Sequence, residues 1–351
     1  MLPKYYPEGS SSRYRYYNYY DWFKSDGHSV ITKPLLYNGY VKDLYSGQKA
    51  LKRIVMLGVG IVQRMLYLLL NRKKFDLIII EKELVTFMPF FIEKFFLKGT
   101  KFILDYDDNI NARYQYGLSK LFLSNKILKM ADIAGGITVG NHWYMDFYKE
   151  INKNKIYYVP TVINRELYQF DSLNKLQNNK LQIVWIGSLS TVKYLQLIDE
   201  VLVKLQNRYN FVLKVIGAKI PLKCNVEFIE WDSKTEIIEL RRSDIGIMPL
   251  EDTDWERGKC GFKLIQYMAS RLPVVASFSI ANNEIINEES GFIARNDQDW
   301  IDQLSLLLES ESLRDKMGEN GKNRIYKDYS YQTWGPKFLE ILDEVIKGDK
   351  L

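Results

Sequence analysis

Three short stretches hold the residues best suited to chemistry. The first is Trp255-Glu256-Arg257-Gly258-Lys259-Cys260-Gly261-Phe262-Lys263, continuing through Gln266 to Ala269 and then Leu272-Pro273-Val274-Val275-Ala276. It reads as a glycine-flanked loop, a helix and a strand. Lys259 and Lys263 are four apart, so a helix over 259–270 sets both on one face in its first turns. The helix dipole disfavours positive charge there by a few tenths to about 1 kcal/mol each. A bound anion removes that conflict, and a phosphate held by backbone N–H groups and two lysines is the natural guest. Two solvated surface lysines fit the pattern alone equally well.

The second stretch, Asp105-Tyr106-Asp107-Asp108, closes an apolar run. Carboxylates at strand C-termini of an open α/β sheet face the ligand crevice. They could bind a divalent metal, orient an acceptor hydroxyl, or cap the next helix through Asp108, and capping is the plainest of the three. The third is a pair of glycine turns, Gly187-Ser188-Leu189-Ser190-Thr191 and Gly9-Ser10-Ser11-Ser12. Each could offer N–H groups to an anion, although an ordinary turn into a helix explains either one better. Neither half carries G-x-G-x-x-G or G-x-x-x-x-G-K-[ST], which removes the main support for dinucleotide oxidoreductase and P-loop chemistry.

The elements that must position these residues follow an α/β pattern. Strands are expected at 28–32, 76–80, 101–105, 133–138 and 156–159, then at 181–186, 211–216, 226–229, 244–248 and 274–276, with helices between them. Helices are expected at 192–207, 236–242, 259–270, 300–308 and 313–326, and an amphipathic one at 331–347. The polar stretch 171–180 is the best linker, which gives domains at 1–170 and 181–330 with a helix at 331–351.

Composition narrows the classes. A chain of 351 residues, 46% hydrophobic and 26% charged, has material for two soluble cores. Two cysteines and two histidines, all far apart, make zinc sites and disulfide frameworks poor bets. A net charge of +6 is too small to imply nucleic acid. The aromatic residues crowding 5–23 read as a tyrosine-rich buried helix face. Uncharged stretches such as 54–63 fall short of the roughly 18 residues of a spanning helix, and the first residues lack a secretory layout, so a cytoplasmic protein is expected.

Wound as a helix, Lys49, Arg53, Arg64 and Asn71 share a narrow arc, while Ile54, Val55, Leu57, Leu66, Leu68 and Leu69 cover the rest. With Arg72-Lys73-Lys74 and Phe87-Met88-Pro89-Phe90-Phe91 nearby, this basic face suits an anionic membrane surface. A core helix with a solvated basic edge is slightly favoured on the pattern alone.

The segment 255–276, with Asp244-Ile245-Gly246-Ile247-Met248-Pro249-Leu250 before it and Asn283-Glu284-Ile285-Ile286 and Gly291-Phe292-Ile293-Ala294 after it, resembles the donor domain of glycosyltransferase family 4. Ser12-Arg13-Tyr14-Arg15, Val159-Pro160-Thr161-Val162-Ile163, Trp185-Ile186-Gly187-Ser188 and Tyr329-Ser330 agree, and Gly258-Lys259-Cys260-x-Phe262-Lys263 is similar to a capsule and lipopolysaccharide branch. The resemblance implies a GT-B fold, two Rossmann-like domains facing a cleft, with the C-terminal helix crossing back to the first. It implies a retaining, metal-independent transfer from a nucleoside-diphosphate sugar, with no other cofactor, to a glycan or lipid-linked acceptor at the inner membrane face, and no nucleic acid partner. On that basis Lys259, Lys263 and Lys193, with Gly187, Ser188, Gly9, Ser10 and Ser11, hold the donor phosphates. Gln266 and Glu284 lie by the ribose or sugar, and Asp107 and Asp108 orient the acceptor.

The chain departs from the family at several places. The family's E-x7-E pair falls on Gly258 and Gln266, its first-domain histidine on Asp107, a pocket glycine on Ile280 and a phosphate-binding arginine on Ser188. The missing carboxylates motivate a rival reading, a catalytically silent protein that binds a nucleotide sugar or glycan.

Overall fold

The computed structural model describes residues 1–45, 50–151, 155–169 and 180–348. The expected linker, apart from Lys180, and Lys49 of the expected basic arc lie outside them. The protein is α/β with two parallel sheets, in two compact units. The first unit comprises Met1–Thr161, Gly258–Cys260 and the chain from Gln332 onward; the second comprises Val162–Arg257 and Gly261–Tyr331.

In the first unit β1 (Ile78–Glu81), β2 (Phe102–Tyr106), β3 (Gly136–Val139) and β4 (Ile156–Tyr158) pair in parallel in sequence order. Every residue of β1 to β3 is buried, as expected where near-continuous apolar runs are covered on both faces. The strand expected at 28–32 does not form. The edge of β1 is met instead by Leu2, which bridges Ile80 in parallel and donates its N–H to Ile79. The aromatic N-terminus makes two short helices, Ser10–Arg15 and Tyr20–Ser25, that bury Tyr14 and Phe23, with Tyr16 and Tyr19 buried between them. Phe338 of the last helix, Tyr331–Lys347, packs edge-on against Tyr19 at 5.1 Å, and Trp334 packs against Tyr158 at 5.3 Å.

The helix Ala50–Asn71 reverses the expected polarity. Arg64, at the centre of the basic arc, is buried, and its guanidinium donates to the carbonyls of Pro3, Lys33 and Leu84. Burying so strong a donor is tolerable because three acceptors meet it. The arc therefore points inward, and Leu51, Ile54, Val55, Val59, Val62, Leu66, Leu69 and Leu70 are the residues left exposed. This helix, extended to Lys74, is also long and apolar enough to cross a membrane by length and composition, contrary to expectation.

In the second unit β5 (Leu181–Ile186), β6 (Phe211–Ile216), β7 (Val226–Ile229), β8 (Ile245–Met248), β9 (Val274–Ser277) and β10 (Gly291–Ala294) form one parallel sheet of order β10-β9-β8-β5-β6-β7. Strand order reverses between β5 and β8, and such a switch point opens a ligand crevice at the carboxyl ends of both strands. The helix expected at 192–207 is a tighter 3-10 segment, Val192–Ile198, followed by Asp199–Gln206.

Candidate active site

In the first unit polar side chains collect at the carboxyl ends of β1 and β2. Asp105 is spent on structure: Arg15 grips it with two donors, at 2.7 Å and 2.5 Å, and Thr138 donates at 2.6 Å. Asp107 and Asp108 are not consumed in this way. Lys82, directly after β1, lies 3.0 Å from Asp107 Oδ1 and 2.6 Å from Asp108 Oδ2, and Ser11 Oγ donates to the other oxygen of Asp107. Lys82 has φ of 63°, a left-handed backbone that costs a non-glycine residue roughly 1–3 kcal/mol and tends to mark functional sites. Burial works against its charge, but Asp107, Asp108 and Glu81 outweigh it and hold its pKa well above the lysine norm. For Asp108 burial acts upward, yet Lys82 and Lys259 bring its carboxyl below the usual range.

The capping alternative fails. The helix Ile110–Arg113 is capped by Asn109, whose side chain accepts from Ala112 N at 3.2 Å. Asp107 and Asp108 thus form a pair of carboxylates around one ammonium, able to accept a hydrogen bond from a substrate hydroxyl.

The segment Gly258–Cys260 belongs to this unit, not to the helix expected over 259–270. Cys260 Sγ donates to the Asp107 carbonyl at 3.1 Å, and the Asn141 amide donates to the Lys259 carbonyl at 3.0 Å. Packing is close enough that a Cβ on Gly258 would stand 2.7 Å from Asn109 N.

In the second unit Gly261, with φ of 59°, turns the chain left-handed and starts the helix Phe262–Ala269 one residue later. Lys259 is therefore off the helix, and the expected shared face of Lys259 and Lys263 does not exist. Lys263 alone occupies the first turn, its ammonium 5.0 Å from the Trp185 ring centroid. A Cβ on Gly187 would lie 2.5 Å from that ring and 2.9 Å from Lys263 Cε, so only glycine lets Lys263 reach along the end of β5. Tyr267 anchors the helix by accepting from Ile186 N at 2.9 Å.

Several expected phosphate donors are already engaged. Gly187 N–H donates to Ile216, Ser188 N–H to Thr191 Oγ1 and Gly9 N–H to Tyr6. Ser10 opens its short helix, and Ser11 serves Asp107 through its hydroxyl. Lys193 pairs with Glu251 at 3.7 Å on the surface. Gln266 is buried on the helix Phe262–Ala269; Glu284 is half-buried on Ile280–Ile285, where Arg324 donates to its carbonyl at 2.8 Å. Ile280, at the family's pocket glycine, is exposed at the start of that helix. A separate cavity lined by Tyr168, Arg241, Arg271 and Lys322 adjoins the segments entering β8 and β9, away from their carboxyl ends.

Lys82 is absent from the site expected from the sequence, and Arg15, Cys260 and Glu256 stand in its motifs without a role; Glu256 accepts from Tyr194 and Thr253. A signal existed for Lys82: Glu81-Lys82-Glu83 is a charged triplet that ends three consecutive isoleucines.

Residues 169–324 match the family model described as glycosyl transferases group 1. The chain is 22% identical to a probable sucrose-phosphate synthase of Thermosipho melanesiensis over 57% of this chain and 50% of that protein, so it spans half the length of the curated relative it matches. A glycosyltransferase from Rickettsia africae superposes with a TM-score of 0.68 at 17% identity, covering 99% of this chain and 98% of that one. Anabaena HepE, solved in complex with UDP and glucose, superposes at 0.72 with 12% identity, covering 98% of each chain. The protein has the two-sheet α/β fold of the GT-B glycosyltransferases, and within it residues 169–324 resemble the glycosyl transferases group 1 domain.

Proposed function

We propose that this chain is a retaining, metal-independent glycosyltransferase that moves a hexose-type sugar from a nucleoside diphosphate to a glycan acceptor carried on a lipid. Its products belong to bacterial surface polysaccharides of the capsule or lipopolysaccharide kind, and it works in the cytoplasm at the inner face of the cell membrane. The observation that carries the donor assignment is Lys263 in the first turn of Phe262–Ala269, let past Gly187 at the switch point of the second sheet. A diphosphate there meets an ammonium and the positive end of a helix dipole, which stabilise it as a leaving group. The UDP seen with HepE, a protein of the same fold, supports this chemistry.

Gln266 and Glu284 serve the ribose and sugar hydroxyls. In the first unit Asp107 and Asp108, held by Lys82 and Ser11, accept from the acceptor hydroxyl and fix its orientation. The departing phosphate takes the hydroxyl proton, so no protein nucleophile is required.

Thermal stabilisation by UDP, GDP, ADP and CMP, each with and without EDTA, tests the donor reading. One nucleoside diphosphate should raise Tm equally under both conditions. No shift with any of them would remove the donor site, and a shift abolished by EDTA would remove metal independence. Binding of the matching sugar nucleotide with neither hydrolysis nor transfer would instead identify a silent binding protein.

A further inference from the structure

The outward face of Ala50–Asn71 poses a physical problem. Positions 51, 55, 58, 62, 66 and 69 recur at helical spacing on the side opposite Arg64, and apart from Gly58 all are exposed leucine or valine. An apolar helix face is normally the face turned to a core. This one is about 33 Å long at 1.5 Å per residue, and none of the described residues of the first unit covers that face. The apolar surface continues onto the neighbouring helix Phe90–Leu97: Arg72, at the end of the long helix, donates to the carbonyls of Phe95 and Phe96, and Phe91 and Phe95 are exposed beside it. Such a patch on a soluble chain marks a docking surface.

The charges around it select the occupant. Between residues 50 and 98 the exposed charged side chains are Lys52, paired with Asp43, and Lys73, Lys74, Lys94 and Lys98, against Asp76 alone, while Glu81, Glu83 and Glu93 are buried. An apolar stripe edged by lysines complements anionic headgroups over an acyl interior. The inward face fixes the orientation. Arg64 is held by three carbonyls, Met65 and Leu68 sit in the core, and Gly60 lies so close to Leu35 that a Cβ would stand 2.1 Å from its carbonyl oxygen. Spanning a bilayer would break all of these contacts, whereas lying in the plane breaks none.

We infer that the first unit docks on an anionic lipid bilayer through the outward face of Ala50–Asn71 with Phe91 and Phe95, the helix lying parallel to the membrane and its leucines entering the interface. This does not rest on the glycosyl-transfer reading, and its test uses no sugar nucleotide. Insertion of apolar side chains does most of the work and the lysines add a salt-sensitive part, the reverse of the weighting the sequence suggested.

The test is flotation of the whole chain with phosphatidylcholine vesicles containing 0 or about 30% phosphatidylglycerol, at low and high salt, with oligomeric state measured by analytical ultracentrifugation. Wild type should bind the anionic vesicles, more weakly at high salt but not to zero. Leu66→Asp with Leu70→Asp should lose more than tenfold in partitioning at both salts with an unchanged melting curve, because both side chains are exposed. Lys73→Glu with Lys74→Glu should lose severalfold at low salt only. Absence of wild-type binding to either vesicle, or leucine variants that bind like wild type, would overturn the inference. So would a stable dimer that the leucine variants dissociate, since the face would then belong to a second copy.

Discussion

The Lys82 ammonium lies 2.6 Å from Asp108 Oδ2, a contact made across the ends of adjacent strands by a residue whose own backbone is left-handed. The same ammonium serves Asp107 at 3.0 Å. Lys82→Met keeps the side-chain length and removes the charge, leaving two carboxylates together without their cation. Breaking a buried pair from one side costs about 3–5 kcal/mol, and partial exposure of Asp108 puts this case at the low end. Asp108 has a depressed folded pKa, so it contributes stability above its unfolded pKa that is lost as pH falls through the folded one. In Lys82→Met that loss should begin at higher pH. Urea melts from pH 3 to 7 decide it: parallel curves for wild type and variant would show that Lys82 does not hold the pair.

A second pH effect runs in the opposite direction. Lys126, fully buried, meets Glu83 at 2.6 Å and Glu93 at 3.0 Å, one cation between two carboxylates. Burial, with Glu83 adding to it against the pull of Lys126, raises Glu93 to about 7, while Glu83 is held below the usual range. A raised folded pKa means the contribution is complete below the unfolded value, near 4.5, and is lost as pH rises through about 7. Stability should therefore fall across that window, and Glu93→Gln should flatten the fall while its amide oxygen still accepts from Val85 N. Calorimetric Tm at pH 5 and pH 8 is the measurement; an unchanged difference in the variant would assign the slope to another group.

Asp105 and Asp107, two residues apart, should separate structure from chemistry. Asp105→Asn removes the charge that Arg15 grips and should lower Tm by several degrees. Asp107→Asn, which leaves Lys82 still paired with Asp108, should lower Tm less than Asp105→Asn does and reduce turnover strongly with donor affinity intact. If Asp107→Asn transfers sugar at the wild-type rate while Asp108→Asn does not, the acceptor role moves one residue along.

Where local pattern decides, the sequence was readable. Runs such as Ile183-Val184-Trp185 and Val274-Val275-Ala276 could only be buried strands, and they are. Where a partner distant in sequence decides, it was not. The arc holding Arg64 was correctly phased on its helix, but its direction depended on carbonyls of Pro3, Lys33 and Leu84. Lys259 and Lys263 looked like neighbours on one helix, and a single left-handed residue, Gly261, parts them. That glycine was visible, yet its backbone angle was not. The pattern puts Asp107 and Asp108 just past a strand end, where they lie; Lys82 is marked only by the charged triplet 81–83, and its left-handed turn toward them has no local signal.

The parting of the two lysines sharpens the donor assignment. Lysines on one helix face would share a phosphate, and the loss of either would weaken its binding alike. With Lys259 off the helix and near enough to Asp108 to lower its pKa, Lys263 is the cation in the helix's first turn. A hydrogen bond to a charged group contributes about 1.5–3 kcal/mol, so Lys263→Ala should weaken nucleoside diphosphate binding roughly ten- to a hundredfold and leave the nucleoside alone nearly unaffected. The unliganded variant should be about as stable as wild type, since relief of the dipole conflict offsets the lost contact with Trp185. Lys259→Ala should instead move the acid limb of stability through Asp108 and change diphosphate affinity much less. Titration calorimetry on the three proteins with nucleoside and nucleoside diphosphate settles it: equal losses in both variants would restore a shared phosphate site, and no loss in Lys263→Ala would take the diphosphate elsewhere.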